Sequence, residues 1–197
     1  RYCIRHPGIT LLLVVLTAVS VFGRPLTELL PGFAAQVFGR GAEGLAVLIS
    51  TLGAGGVLGG IWLSMRGAVA GLTTRVIAGS LVISLGLLAF TATETLWIAL
   101  PCIAVVGFAT VTVGVGEQTL LQNAVAGHMR GRVLSFYGMI ARGGPALGAL
   151  MMGTASSYMG LRWPVAVGAM GCLVLWLWAR PRQVRMARAL EGEPDTG

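Results

Sequence analysis

The chain is organised as long apolar runs separated by short polar links. A helix that crosses a lipid bilayer needs about 20 mostly apolar residues at a rise of about 1.5 Å each. On that scale the runs predict six membrane-spanning helices, at about 8–38, 44–65, 72–92, 95–126, 133–158 and 163–179. The remaining residues, 180–197, form a tail that is first basic and then acidic, and its last residues, 191–197, are predicted to be disordered.

The composition excludes an ordinary soluble domain. Of the 197 residues, 55% are hydrophobic and 11% are charged, whereas a soluble domain carries about 25% charged residues. A globule of this size exposes about a third of its surface to its solvent, and this chain has too little charge to make that surface polar. The sequence therefore predicts an all-α membrane protein with the lipid bilayer as its surroundings.

The charges predict how the helices are oriented. The chain has 14 basic residues, all arginine, and 7 acidic residues, which gives a net charge of +7. Basic residues mark the cytoplasmic side of a membrane protein, and one side of the predicted bundle carries Arg1, Arg5, Arg66, Arg75, Arg130, Arg132, Arg180, Arg182, Arg185 and Arg188. Both termini are therefore predicted to be cytoplasmic. The charges are scattered and no nucleic-acid-binding motif accompanies them, so no nucleic acid partner is expected.

Glycine is concentrated in two of the predicted spans. Gly55 with Gly59, and Gly56 with Gly60, form two G-x-x-x-G spacings on adjacent faces of the second span. Small residues let helix backbones approach closely in lipid. The pattern predicts tight helix packing, and it also fits helices that slide or bend against one another. A second glycine cluster, within 143–153, lies in the fifth span.

Two ionisable residues, Glu117 and Arg142, fall clearly within predicted hydrocarbon. Such residues are costly unless they are paired or face water. The fourth and fifth spans form a hairpin that turns near Arg130, and the two residues are almost equally distant from that turn. Equal depth predicts that they reach each other or one aqueous cavity. They form either a static ion pair or a site where Glu117 exchanges Arg142 for a proton.

Other polar residues suggest which helices surround an interior path. Arg24 and Glu28 are spaced i, i+4 beside Pro25 near the predicted outer mouth, where capping is favoured over substrate contact. The third and sixth spans lack ionisable residues in their apolar parts, so they are expected to face lipid. The polar side chains of Gln118 and Gln122 then fall to the helices around the path.

Catalytic and metal-binding motifs are missing from the sequence. Without lysine there is no P-loop or Schiff-base residue, and no G-x-S-x-G, H-E-x-x-H or paired-carboxylate pattern occurs. Cys3, Cys102 and Cys172 are too far apart in sequence for a C-x-x-C site and are interpreted as packing residues. The sequence therefore predicts no enzyme, no metal and no cofactor. Its start at Arg1 is interpreted as the start of a fragment.

Several short motifs resemble one transporter family. The motifs are Leu30-Pro31-Gly32-Phe33, Gly41-Ala42-Glu43-Gly44, Gly53-Ala54-Gly55-Gly56, Arg130-Gly131-Arg132-Val133-Leu134-Ser135, Tyr137-Gly138 and Arg142-Gly143-Gly144-Pro145-Ala146-Leu147-Gly148. Together they resemble the C-terminal half of major facilitator superfamily transporters, in the branch of the enterobactin exporter and related drug and siderophore effluxers. The likeness covers essentially the whole chain as six of twelve helices. One departure is the link 64–75, which keeps the family's arginines but lacks its acid.

The resemblance implies a fold and an activity. It implies half of a twelve-helix bundle with 3+3 inverted repeats, and a second six-helix half earlier in the same full-length chain. It further implies proton-coupled export of a small-molecule substrate across the inner membrane by alternating access. Residues assigned to the path are Glu117, Gln118, Gln122 and Arg142, and those assigned to the cytoplasmic gate or orientation are Arg66, Arg75, Arg130 and Arg132.

The alternative function is a non-transporting membrane scaffold or a receptor-like six-helix protein. A channel is disfavoured, because no repeated pore loop or charge ring occurs in the sequence. The inner face of the bundle distinguishes the two main interpretations. A scaffold fills this face with apolar side chains, whereas half of a transporter leaves a one-sided polar groove with Glu117 and Arg142.

Overall fold

A computed structural model describes residues 7–67, 71–125 and 127–191, and it is helical throughout. Residues 1–6 and 192–197 lie outside these ranges. The predictions made for Arg1, Arg5 and the end of the tail therefore concern residues that the structure does not describe. The α-helices are α1 (Pro7–Ala18), α2 (Leu26–Gly32), α3 (Gly41–Arg66), α4 (Leu72–Ala92), α5 (Leu96–Ala124), α6 (Gly127–Met159), α7 (Arg162–Ala179) and α8 (Gln183–Glu191). Wider π-helical turns cover Val19–Gly23 and Phe33–Val37, and a 3₁₀ turn covers Arg180–Arg182.

The first predicted span is a broken helix, made of α1, α2 and the two π turns. Pro25 has no N–H to continue the α-helical ladder, and just before it the N–H of Arg24 bonds the carbonyl of Val19, five residues back, at 3.0 Å. Such wide turns inside helices are frequent at functional sites. Here Arg24 lies at the junction between the π turn and α2.

Five stretches of the described residues are long and apolar enough to cross a membrane. They are Gly8–Val37, Gly41–Arg66, Leu72–Ala92, Leu96–Ala124 and Arg162–Arg182. Five such helices make the chain a multi-pass membrane protein. The fifth predicted span lies within α6, whose 33 residues are ample in length but less apolar than the other five.

The helix α5 packs against both α3 and α4, and it contacts α3 through glycine. A Cβ on Gly55 or Gly59 would collide with the backbone of Ala104 or Phe108 on α5. In return, a Cβ on Gly107 of α5 would collide with the carbonyl of Leu52 on α3. Only glycine permits this approach, so the tight packing predicted for the second span is present.

The third and sixth spans, which were both expected to face lipid, differ in how far they are buried. The sixth, α7, exposes a row of apolar side chains that includes Trp163, Val167, Met170 and Val174. The third, α4, lies between α5 and α7, and 56% of its apolar stretch is buried, against 28% for α3. Freedom from charge therefore identifies a helix compatible with lipid, but it does not distinguish lipid contact from protein contact.

The tail forms a packed helix up to Glu191. Met186 and Leu190 of α8 are buried against the bundle, where α8 contacts α1, α4 and α5. The carboxylate of Glu191 accepts hydrogen bonds from the backbone N–H groups of Gly71 and Thr73, each at 2.6 Å. It therefore caps the first turn of α4, just after Gly71 adopts a φ of +75°. We call this end of the bundle the tail end.

Candidate functional site

One large cavity lies between the broken first helix and α3, α5 and α6. Its volume is about 870 Å³, within the range of small-molecule sites. The polar lining residues are Arg24, Thr27, Glu28, Thr110, Gln118 and Tyr137. The lining residues from α3, such as Gly53, Gly56 and Val57, are all glycine or aliphatic. The polar side chains of the cavity therefore come from the first helix, α5 and α6.

The polar side of the cavity has a fixed internal geometry. The Tyr137 hydroxyl of α6 donates a hydrogen bond to the carbonyl of Gly114 on α5, at 3.0 Å. The Arg24 Nη1 donates to the carbonyl of Ala141 at 3.5 Å, and the Arg24 guanidinium also interacts with the Tyr137 hydroxyl. A Cβ on Gly114 would lie 2.8 Å from Arg24 Nη2. Glycine at this position therefore leaves the space that the guanidinium occupies.

Behind this wall lies a fully buried acid, Glu117. Its side chain has no exposed surface, and neither carboxylate oxygen has a hydrogen-bond partner among the described residues. The guanidinium of Arg24 interacts electrostatically with it, and the Tyr137 hydroxyl is near enough to be affected by the charge of Glu117. A buried carboxylate without hydrogen bonds is costly, so its compensation depends on Arg24. We call Arg24, Glu117 and Tyr137 the buried polar cluster.

The expected pairing of Glu117 with Arg142 is not formed in this structure. The side chain of Arg142 is exposed and does not line the cavity. Within the described ranges the one ion pair closer than 4 Å joins Arg162 to Glu94, at 3.0 Å. Equal depth in a hairpin does not fix rotation about the helix axis. On α6 the carbonyl of Ala141 and the ring of Tyr137 face Arg24, while Arg142 points elsewhere.

Some of the other predicted site residues line the cavity and some do not. Gln118 and Glu28 line the cavity, whereas Gln122 is half-buried and outside its lining. None of the four predicted gate residues is among the residues that line the cavity. Arg66 stacks on Trp62, with its guanidinium 4.9 Å from the ring centre. Arg75 is half-buried, and Arg130 and Arg132 are exposed at the start of α6.

The four predicted packing glycines are not equivalent. Gly55 and Gly59 meet the backbone of α5, and Gly56 meets the side chain of Val111. Gly60 has room for a side-chain carbon, since a Cβ there would have Val111 at an ordinary 3.9 Å. Two of the four positions are therefore closed to a side chain by backbone, a third would require Val111 to shift, and the fourth is open.

The sequence did not identify Tyr137 or Gly114 as residues of this site, and Tyr137 entered only as part of a family motif. Pro25 was the sequence signal for an interrupted helix beside Arg24. The π turn and the position of Arg24 in the cavity lining depend on the fold, so sequence spacing could not give them.

The described residues bring no three His, Cys, Asp or Glu side chains together as a metal site. Spanning helices around a cavity with polar lining residues are typical of membrane transporters. The family model for transmembrane secretion effectors, a major facilitator family, matches residues 1–195. The chain therefore belongs to that family of major facilitator transporters. No curated protein matches it.

Proposed function

We propose that the chain is the C-terminal six-helix half of a proton-coupled exporter of small molecules. The observation that carries the proposal is the cavity of about 870 Å³, whose polar wall contains Arg24, Glu28, Gln118 and Tyr137. A scaffold that only packs with a partner has no need of such a space. Half of an alternating-access transporter needs it, because substrate binds at the junction of the two halves.

The exposed surface beside the cavity supports a missing second half. On α3, Val57 and Leu58 are 64% and 61% exposed, and on α6, Leu147 and Leu150 are 61% and 65% exposed. Large apolar patches beside a polar cavity are typical of interaction surfaces. We therefore propose that a preceding six-helix half covers these faces, and that α6 is the sixth membrane-spanning helix.

The orientation and the gate follow from the charges. We propose an inner-membrane location with both termini in the cytoplasm, because the arginines of the tail end are those expected on that side. Arg66, Arg75, Arg130 and Arg132 then lie at the cytoplasmic ends of their helices. The sequence likeness to drug and siderophore effluxers makes those compounds the first substrates to test.

Glu117 is the proposed proton-binding group. It is fully buried, it lies just behind the cavity wall, and a charge in such a position is tolerated only with compensation. A carboxyl group that gains a proton loses its need for Arg24. Proton binding can thus change the contacts of a residue that faces the substrate.

The test uses the full-length protein in proteoliposomes that contain a pH-sensitive dye. Ethidium and enterobactin serve as the two probes. We expect each transported probe to drive proton movement in the wild type, and Glu117→Gln to lose that movement while probe binding remains. Glu43→Gln, which changes an exposed acid at the start of α3, is the matched control. Normal coupling in Glu117→Gln removes this role, and a full-length protein that moves neither probe favours the scaffold.

A further inference from the structure

We propose that Gly114, Arg24 and Tyr137 form a partition that separates Glu117 from the cavity and controls access to its carboxylate. The role of that access in proton coupling rests on the proposed function above. The partition itself is a statement about three positioning residues. They determine what can reach the acid.

The helical register of α5 brings the partition and the acid together. Gly114 and Glu117 are three residues apart, so they lie on one face of the helix, one turn from each other. Gly114 lines the cavity, whereas Glu117 is fully buried. Gln118, the next residue, again lines the cavity. The buried acid is thus flanked along α5 by two positions that face the open space.

Side chains from two other elements close the gap beside Gly114. Tyr137 comes from α6 and is fixed by its 3.0 Å hydrogen bond to the Gly114 carbonyl. Arg24 comes from the break in the first helix and occupies the space that a Gly114 side chain would fill. Both residues line the cavity, and both contact α5 at Gly114, one turn from Glu117. In the proposed partition these two side chains lie between the cavity and the acid.

Neither carboxylate oxygen of Glu117 has a hydrogen-bond partner among the described residues. A Cβ on the preceding residue, Gly116, would meet Val76 and Leu72 of α4, so the α4 surface beside this turn of α5 is apolar. The titratable groups coupled electrostatically to the acid are Arg24 and Tyr137. We expect a polar route from the cavity to Glu117 to pass these two side chains.

The partition is tested by chemical labelling, which does not require transport. The full-length protein in nanodiscs is treated with a water-soluble carbodiimide and glycine ethyl ester. The carbodiimide activates a carboxyl group, the amine displaces the urea, and the amide product is measured by peptide mass spectrometry. Glu28, which is exposed in the same cavity, is the internal standard.

In the wild type we expect Glu28 to react and Glu117 to react at least tenfold more slowly. Tyr137→Ala opens the partition and should raise the Glu117 rate at least fivefold relative to Glu28. Gly114→Ala, a smaller change, displaces the guanidinium and should raise the same ratio about twofold or more. Gly138→Ala is the matched control, because a Cβ at Gly138 meets nothing within 4 Å among the described atoms, and it should leave the ratio unchanged.

The labelling result and the transport result can fail separately. Equal labelling of Glu117 and Glu28 in the wild type overturns the partition, whatever the transport assay shows. An unchanged ratio in a folded Gly114→Ala protein also overturns it, even when Tyr137→Ala does not fold. If the labelling follows expectation while Glu117→Gln couples normally, the partition stands and the proton role of Glu117 is lost.

Discussion

Two carboxylates of this protein are held in opposite ways. Glu191, at the tail end, accepts two backbone hydrogen bonds of 2.6 Å from the first turn of α4. Glu117, in the interior, has no hydrogen-bond partner among the described residues and depends on the charge of Arg24. A carboxylate with its partners in place fastens two elements together. One without them is free to change its protonation or its partner, so the interior is suited to switching and the tail end to anchoring.

The largest expected effect comes from removing the cation beside the interior acid. Arg24→Gln removes the positive charge that acts on the buried Glu117, and a buried carboxylate without compensation is costly. We expect a clear fall in the melting temperature of the full-length protein in detergent.

The double variant Arg24→Gln/Glu117→Gln removes both charges and should recover most of the lost stability, since neighbouring groups are not additive. If the double variant is as unstable as the sum of the single ones, the two residues are not coupled. The comparison between the two carboxylates then fails.

A smaller effect is expected at the glycine contact that fixes α5. Gly55→Ala places a Cβ against the backbone of Ala104, and overpacking of this kind costs about 1–3 kcal/mol. The helix that carries Glu117 should shift, lowering thermal stability. Gly53→Ala on the same helix is the control, because its Cβ meets nothing within 4 Å in the described structure. Equal effects of the two substitutions contradict the assigned contact.

At the tail end the expected effect is smaller again. Glu191→Gln keeps the shape of the side chain but removes the negative charge at the first turn of α4, a contribution of about 0.3–1 kcal/mol. We expect a slightly lower melting temperature and faster hydrogen exchange at Gly71 and Thr73. Unchanged exchange at these two amides contradicts the cap.

The sequence was sufficient for the helices but not for their rotation. Apolar runs located five stretches that could cross a membrane to within a few residues, because hydrophobic length is a local property; the predicted span at 133–158 is not among these five. The paired positions of Gly55 and Gly59 were also readable, since spacing within one helix determines a face. The partner of Glu117 was not, because it depends on how α6 turns about its axis and how the π turn redirects Arg24.

The tail also shows that the sequence does not by itself determine tertiary packing. Its charges predicted a basic and then acidic tail with disorder from residue 191, yet Met186 and Leu190, one turn apart, supply a buried face and Glu191 itself is helical. The pattern is short, and only packing against α1, α4 and α5 makes it a stable helix. Composition therefore describes the tail as polar, whereas tertiary contact decides that it is folded as far as Glu191.

The smallest expected effect is at Arg142, and it is the most direct test of which arginine balances the interior acid. The side chain is exposed, and surface substitutions away from special features change stability by about 0.5 kcal/mol or less. Arg142→Gln should therefore melt close to the wild type. A loss as large as that of Arg24→Gln, or one relieved by Glu117→Gln, would identify Arg142 as the compensating charge. Because both substitutions replace the same residue type, their difference reports position alone.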